Sequence, residues 1–232
     1  MKIVAIIPAR GGSKRIPRKN IRSFNGLPMI AWSIESAIQS GCFDRVIVST
    51  DDQEIAQIAD SYGAETPFIR PASISDDHST SSDVMAHAIN YEASHGRDID
   101  FACCIYPTSP FIKIENLTKG LELIQSGKFE YVFTASTYSF PIERSFSFSE
   151  MDGLKMIFPK KEKVRSQDLQ DIFHDAGQFY WGKANNWKNL TPIFSKNSLP
   201  LILPRSEVVD IDTEEDWEEA EIKFKLLKEN QA

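Results

Sequence analysis

No acidic residue stands before Glu35. The first 34 positions carry Lys2, Arg10, Lys14, Arg15, Arg18, Lys19 and Arg22 with nothing to balance them, in a 232-residue chain of formal net charge −7. Cations gathered at one end of an acidic chain point to a small anionic ligand held locally. A pI near 5.2 argues against a general nucleic-acid surface. No run approaches the roughly 18 apolar residues of a membrane-spanning helix, so no membrane partner is expected. The N-terminus also lacks the charged, apolar and cleavable order of an export signal, so the expected compartment is the cytoplasm. Cysteine is scarce: Cys42, Cys103 and Cys104 are the only three, and two are adjacent, which excludes a disulfide framework. His78 and His87 have no second His or Cys at ligand spacing beside them and read as solvent-facing or packed. A hydrophobic share of 41% with 25% charged residues is ordinary for a globular protein, and the length suits a single domain over residues 1–232.

What is present begins with Ile3 to Ile7, an apolar run that reads as a buried strand. Pro8, Gly11, Gly12 and Pro17 then force a loop, and that loop holds Arg10, Lys14, Arg15, Arg18 and Lys19. Glycines let backbone N–H groups approach phosphate oxygens, and Lys and Arg neutralise them, so the loop reads as a triphosphate site. It is not a Walker A loop, because Gly11-Gly12-Ser13-Lys14 is followed by Arg15, and it is not a dinucleotide-binding G-x-G-x-x-G.

Downstream, helical and strand patterns alternate. Pro28 to Ser40 carries a helical stripe of Ile30, Ile34, Ala37 and Ile38, ended by Gly41. Arg45 to Ser49 is a short buried strand, and Thr50-Asp51-Asp52 caps a helix with Ile55, Ile58, Ala59 and Tyr62 on one face. Thr66 to Arg70 reads as a third strand. A polar loop to Ser82 opens a helix over about 83–94. Phe101 to Tyr106 is a strand apolar on both faces, followed by a helix bearing Leu117, Leu121 and Ile124, and then by a strand over 131–135. The expected fold is therefore α/β, a doubly wound and mostly parallel Rossmann-like sheet, with its site beyond the carboxyl ends of the strands. Arg10 to Asn20, Asp51 and Arg70 stand at such ends. From Thr137 to about Asp175 periodicity is lost among aromatic and Lys residues, the mark of a functional or interacting insertion. Leu199 to Leu203 is a last strand. After it, Asp210 and Asp212 are two apart and face the same way in extended chain. Two like charges on one face call for a bridging cation, and Mg²⁺ favours one or two carboxylates plus phosphate oxygens. Thr213 to Asp216 is a capping pattern for a final helix with Trp217, Ala220, Phe224 and Leu227 inward. His174 and Asp175 would diverge on a strand, and no G-x-S-x-G elbow exists, so no hydrolase triad is read from them.

The loop resembles the signature of the CMP-sugar synthetases, the cytidylyltransferases that activate nine-carbon sugar acids: Pro-Ala-Arg-x-x-Ser-Lys-x-x-x-x-Lys-Asn, matched by Arg10, Ser13, Lys14, Lys19 and Asn20. The resemblance runs from the first strand to the last helix and implies a nucleotide-diphospho-sugar transferase fold. It implies that Ala9, Arg10, Gly11, Ser13, Lys14 and Asn20 shape the nucleotide site, with Arg70, Asp77 and Ser81 over the cytosine and ribose. Taken alone, the Ser/Thr cluster from Ser79 to Ser82 is also what a serine-rich helix start looks like. Sialate synthetases carry Leu-Gln-Pro-Thr-Ser-Pro-Leu-Arg where this chain has Tyr106 for the Gln and Ile112 for the Arg, positions expected at the sugar-acid pocket. The return from Arg165 to Tyr180 resembles the Arg-x-x-Gln and Gly-x-x-Tyr elements of the family. Its form from His174 to Gly182 resembles that of pseudaminic acid cytidylyltransferases.

The resemblance implies a Mg²⁺-dependent transfer of CMP from CTP to the anomeric hydroxyl of a nonulosonic acid, with Arg10, Lys19 and Asp212 catalytic and Asp210 with Asp212 holding the metal. Tyr106, Arg165, Gln178 and Tyr180 are the expected sugar contacts, and residues 137–175 the expected arm of a homodimer. Pseudaminic acid is the favoured acceptor, and sialic and legionaminic acids are the near alternatives. A non-catalytic sugar-nucleotide binder is the distant alternative, which has less need of Asp210 and Asp212.

Overall fold

The run of apolar residues after Lys2 becomes β1 (Ile3–Pro8), which alternates between two cores. Ile3, Ala5 and Ile7 join one hydrophobic cluster, and Val4 and Ile6 join the other on the opposite face. A strand buried on both faces must be covered by helices on both. The computed structural model describes residues 1–229 and supplies them. In order the chain runs through β2 (Ser23–Phe24), β3 (Leu27–Pro28), α1 (Met29–Gln39), β4 (Arg45–Ser49), α2 (Gln53–Ser61), α3 (Ser81–Ser94), β5 (Phe101–Ile105), α4 (Ile114–Gln125), β6 (Tyr131–Thr137), β7 (Phe146–Ser149), β8 (Gly153–Met156), β9 (Phe173–Lys183), α5 (Ala184–Lys188), β10 (Ser198–Ile202) and α6 (Glu214–Glu229).

Six strands form the main sheet in the order β10-β6-β9-β5-β1-β4. Neighbours are parallel except around β9, which runs antiparallel to both β5 and β6. Helices α1, α2 and α4 cover one face, and α3 and α5 the other. Cys103 and Cys104 point to opposite faces of β5 and are fully buried, as core residues. The stretch expected as a third strand over 66–70 is not one. It contributes one isolated bridge, Thr50 with Ile69, and a second, Ile47 with Glu65, stands just before it, because Pro67 between them has no N–H to continue a ladder. Residues 138–172 leave the sheet as an arm whose regular part is the β7–β8 hairpin.

A third cluster stands outside the sheet. Trp217, Ala220 and Phe224 of α6 pack on Ile16, Phe24, Met29, Phe111 and Ile211, with Leu227 partly buried at the edge. Phe24 meets Trp217 edge to face at 5.4 Å. Among the described residues no helix is long and apolar enough to cross a membrane.

Candidate active site

Ile16 and Ile211 are both almost wholly buried in the α6 cluster. Each is an apolar residue flanked by charge: Arg15 precedes Ile16, and Asp210 and Asp212 bracket Ile211. Burying the two isoleucines together draws the flanking charges to one place. The Arg15 guanidinium donates to Asp212 Oδ1 at 2.7 Å. Lys19 Nζ donates to the Ile211 carbonyl at 2.6 Å and reaches Asp212 Oδ1 at 3.4 Å. Asn20 is buried, and its amide donates to the Arg10 carbonyl at 2.9 Å, closing the loop on itself.

The loop forms one wall of a cavity of about 510 Å³ at the carboxyl ends of β1 and β5. Arg10, Ser13, Lys14, Arg15, Lys19 and Asn20 line it on that side, and Arg70, Asp77, Ser81 and Tyr106 face them. Arg10 donates to Asp77 Oδ1 at 2.6 Å, and Lys14 pairs with the other oxygen. Those two cations hold the Asp77 carboxyl below the usual carboxylate range, Lys14 more strongly than Arg10. Arg70 is buried, and burial lowers its pKa, offset in part by Asp51 at 3.7 Å. Thr80 and Asp83 form a reciprocal capping box that starts α3 at the cavity edge. Ser75, Asp76 and Thr80 also line the cavity; the turn-rich polar run around them was the available signal.

Several expected contacts take other places. Ala9 is buried, and its N–H is spent on the Ser49 carbonyl. Gly11 donates its N–H to Asp51 Oδ1 at 2.9 Å. A Cβ there would stand 2.5 Å from Asp52 Oδ2, so Gly11 is small to admit Asp52 rather than to face a phosphate. Arg18, at φ 57°, pairs with Asp52 and Glu54 and braces the loop from behind. Ile112 is part of the main core and lines neither the first cavity nor the one beside Asp175 and Asp210. Gln178 is buried and donates to the Glu207 carbonyl at 2.6 Å. Arg165 is exposed on the arm and is not among the side chains that line this cavity.

A second cavity, of about 530 Å³, is lined by Tyr138, Ser139, Phe140, His174, Asp175 and Asp210. Asp210 therefore faces it while Asp212 meets the basic loop. Partial burial raises the Asp210 pKa, and the Asp212 charge raises it further against the pull of Lys19. Among the described residues Asp210 thus offers a carboxylate without a cationic hydrogen-bond partner, while the Asp212 carboxylate is taken up by Arg15 and Lys19. Tyr180 is buried and donates to Asp175 Oδ2 at 2.5 Å, and Tyr106 bridges toward the first cavity.

A basic loop after the first strand of a doubly wound sheet, closed on Asp212, is an arrangement suited to nucleotidyl transfer. The chain belongs to the cytidylyltransferase family, whose profile matches residues 4–226. Over 230 residues, 99% of this chain and 99% of the relative, it is 43% identical to the pseudaminic acid cytidylyltransferase of Campylobacter jejuni serotype O:2. It is 34% identical to the CMP-N,N'-diacetyllegionaminic acid synthase of Legionella pneumophila, over 100% of this chain and 98% of that one. Among solved structures, CMP:2-keto-3-deoxy-manno-octonic acid synthetase complexed with CTP superposes with a TM-score of 0.70 at 17% identity, covering 97% of this chain and 99% of the other. That likeness shows the fold, and the mostly parallel α/β architecture expected from the sequence is the one found.

Proposed function

We propose that this protein transfers CMP from CTP to the anomeric hydroxyl of pseudaminic acid and releases pyrophosphate. The observation that carries the reading is the meeting of Lys19 and Arg15 with Asp212 beside the cavity walled by Arg10 and Lys14. The end-to-end identity to pseudaminic acid cytidylyltransferases supports the choice of acceptor.

Arg10 and Lys14 bind the triphosphate, and Asp77 keeps both in place between turnovers by accepting from each. Lys19, anchored on the Ile211 carbonyl, stands where charge gathers as pyrophosphate departs. Asp210 and Asp212 would hold Mg²⁺, which when bound would neutralise phosphate charge. The acceptor hydroxyl oxygen forms the new bond to the α-phosphorus and gives up its proton. The bond from that phosphorus to the bridging oxygen breaks, with its electron pair leaving on pyrophosphate. Positioning and charge neutralisation supply the rate. A silent sugar-nucleotide binder would have no use for an aspartate pair set against a lysine.

The arm is read as a dimerisation element. Phe140, Phe148 and Met151 are 82%, 70% and 95% exposed. That much apolar surface on one projection fits burial against a second copy. The reaction is assigned to the cytoplasm, where CTP is available.

Pyrophosphate release from CTP, measured against pseudaminic, legionaminic and sialic acids under one condition, tests the reading. The highest kcat/KM is expected with pseudaminic acid. Equal or better turnover of sialic acid would overturn the acceptor assignment, and no release with any of the three would overturn the activity.

A further inference from the structure

Asp77 sits in a polar run whose shape is fixed on both sides of it. Just before it, Asp76 Oδ1 accepts from the His78 N–H at 3.1 Å, the Ser79 N–H at 2.8 Å and the Ser79 hydroxyl at 2.7 Å. A side chain that satisfies the backbone two and three residues on makes a closed turn. Just after it, the Thr80–Asp83 capping box starts α3. Asp77 is therefore presented by a built turn, and it stands on the cavity wall facing the basic loop.

What it presents is one oxygen to each of two cations. Arg10 Nη1 donates to Asp77 Oδ1 at 2.6 Å and reaches the Asp76 carbonyl at 3.3 Å, and Lys14 Nζ donates to Asp77 Oδ2. These contacts span 67 and 63 positions of sequence, so they join opposite walls of the cavity. The other two cations of the same stretch, Arg15 and Lys19, are taken up by Asp212. An anion with two oxygens set on separate cations is what a phosphate offers to the same pair. The hold is also a weak one. Lys14 is 76% exposed and Asp77 42%, and ion pairs in contact with water contribute little individually. A triphosphate or pyrophosphate, with more charge and more acceptor oxygens, outcompetes a single carboxylate there.

We propose that Asp77 is an internal stand-in for phosphate: it holds Arg10 and Lys14 between turnovers, yields them to the triphosphate, and reclaims both as pyrophosphate leaves. This deepens the proposed function and rests on its triphosphate reading of the basic loop. A residue that only helped to bind the nucleotide would weaken binding when neutralised. A stand-in does the reverse, because its removal frees two cations for the incoming anion. The test is calorimetric titration of inorganic pyrophosphate, and separately of cytidine, into the full-length parent and Asp77→Asn at low ionic strength. Pyrophosphate is expected to bind the variant more than about twofold and up to about tenfold tighter, the range that two exposed ion pairs supply. Cytidine, which carries no phosphate, should bind both proteins alike. The gain for pyrophosphate should shrink as salt is added. A pyrophosphate affinity within about twofold of the parent, a weaker one, or an equal gain for cytidine would overturn the proposal. If Asp77→Asn fails to fold, Asp77→Ser decides by the same criterion. The parent protein separates the two readings: pyrophosphate binding that neither variant tightens sinks only the role of Asp77, and a parent that binds neither CTP nor pyrophosphate sinks both.

Discussion

Lys19 and Asp212, 193 positions apart in sequence, stand 3.4 Å apart. The ammonium is 18% exposed and the carboxylate 32%, so neither is fully hydrated, and neither is buried enough for its loss to unfold the chain.

Asp212→Asn is therefore expected to abolish pyrophosphate release while changing unfolding stability by no more than about 1 kcal/mol. Activity assayed across a Mg²⁺ titration, alongside urea unfolding, checks both halves. Full turnover in the variant would remove the aspartate pair from the mechanism.

Arg10→Ala should weaken CTP binding by about 1.5–3 kcal/mol, as loss of a hydrogen bond to a charged ligand does. Calorimetric titration of CTP into parent and variant reads this directly. Arg18→Ala is the contrast. Because Arg18 faces Asp52 and Glu54, its removal should leave the CTP affinity close to that of the parent.

Asp52 accepts from the backbone N–H groups of Glu54 and Ile55 at the start of α2 and pairs with Arg18. Asp52→Ala should destabilise the protein by about 1–2 kcal/mol through the lost cap. The Arg18 hydrogen bond lowers the Asp52 pKa in the folded state, outweighing partial burial. The contribution of Asp52 is accordingly complete above the unfolded carboxylate value near ~3.9 and fades as pH falls below it through the depressed folded value. The gap between parent and variant in urea midpoint should be full at neutral pH and narrower in strong acid.

Gly182 sits under two aromatic rings. A Cβ there would lie 2.6 Å from Tyr131 Cε1 and 2.7 Å from Trp187 Nε1. Both rings are fully buried and cannot retreat. Gly182→Ala should cost about 1–3 kcal/mol by overpacking. Thermal melting provides the check, and a neutral result would mean that the rings can move apart.

Light scattering at micromolar concentration should give twice the mass of one chain, across an interface of at least ~1,000 Å². Phe148→Asp with Met151→Asp should shift that mass toward a single chain. A parent protein of single-chain mass would refute the dimer.

The basic loop at the end of β1 was legible because its signals are local: an apolar run, then Pro and Gly, then cations without anions. The two faces of the sheet were legible for the same reason, since Ile3 to Ile7 can be buried only between two layers. Direction is another matter. The apolar residues of β9 say that it is buried and nothing about its running antiparallel. Pro67 was in view, and its missing donor is what turned an expected strand into two bridges. The meeting of Ile16 with Ile211 has no local signature, because each is merely an isoleucine among charges. Asp175 was read as diverging from His174 on a regular strand. The register of β9 against β6 shifts between Asp175 and Tyr180, a property of the ladder as a whole, so the contact between these two residues could not be read from spacing.

Thr137 and Phe173, where the arm departs and returns, are direct partners across the β6–β9 ladder. An excursion whose two ends already touch adds little strain to the sheet whatever its length. The arm is thus a replaceable cassette: its length and its apolar tip can drift, or be exchanged by design, while the register that sets the basic loop against Asp212 stays as it is.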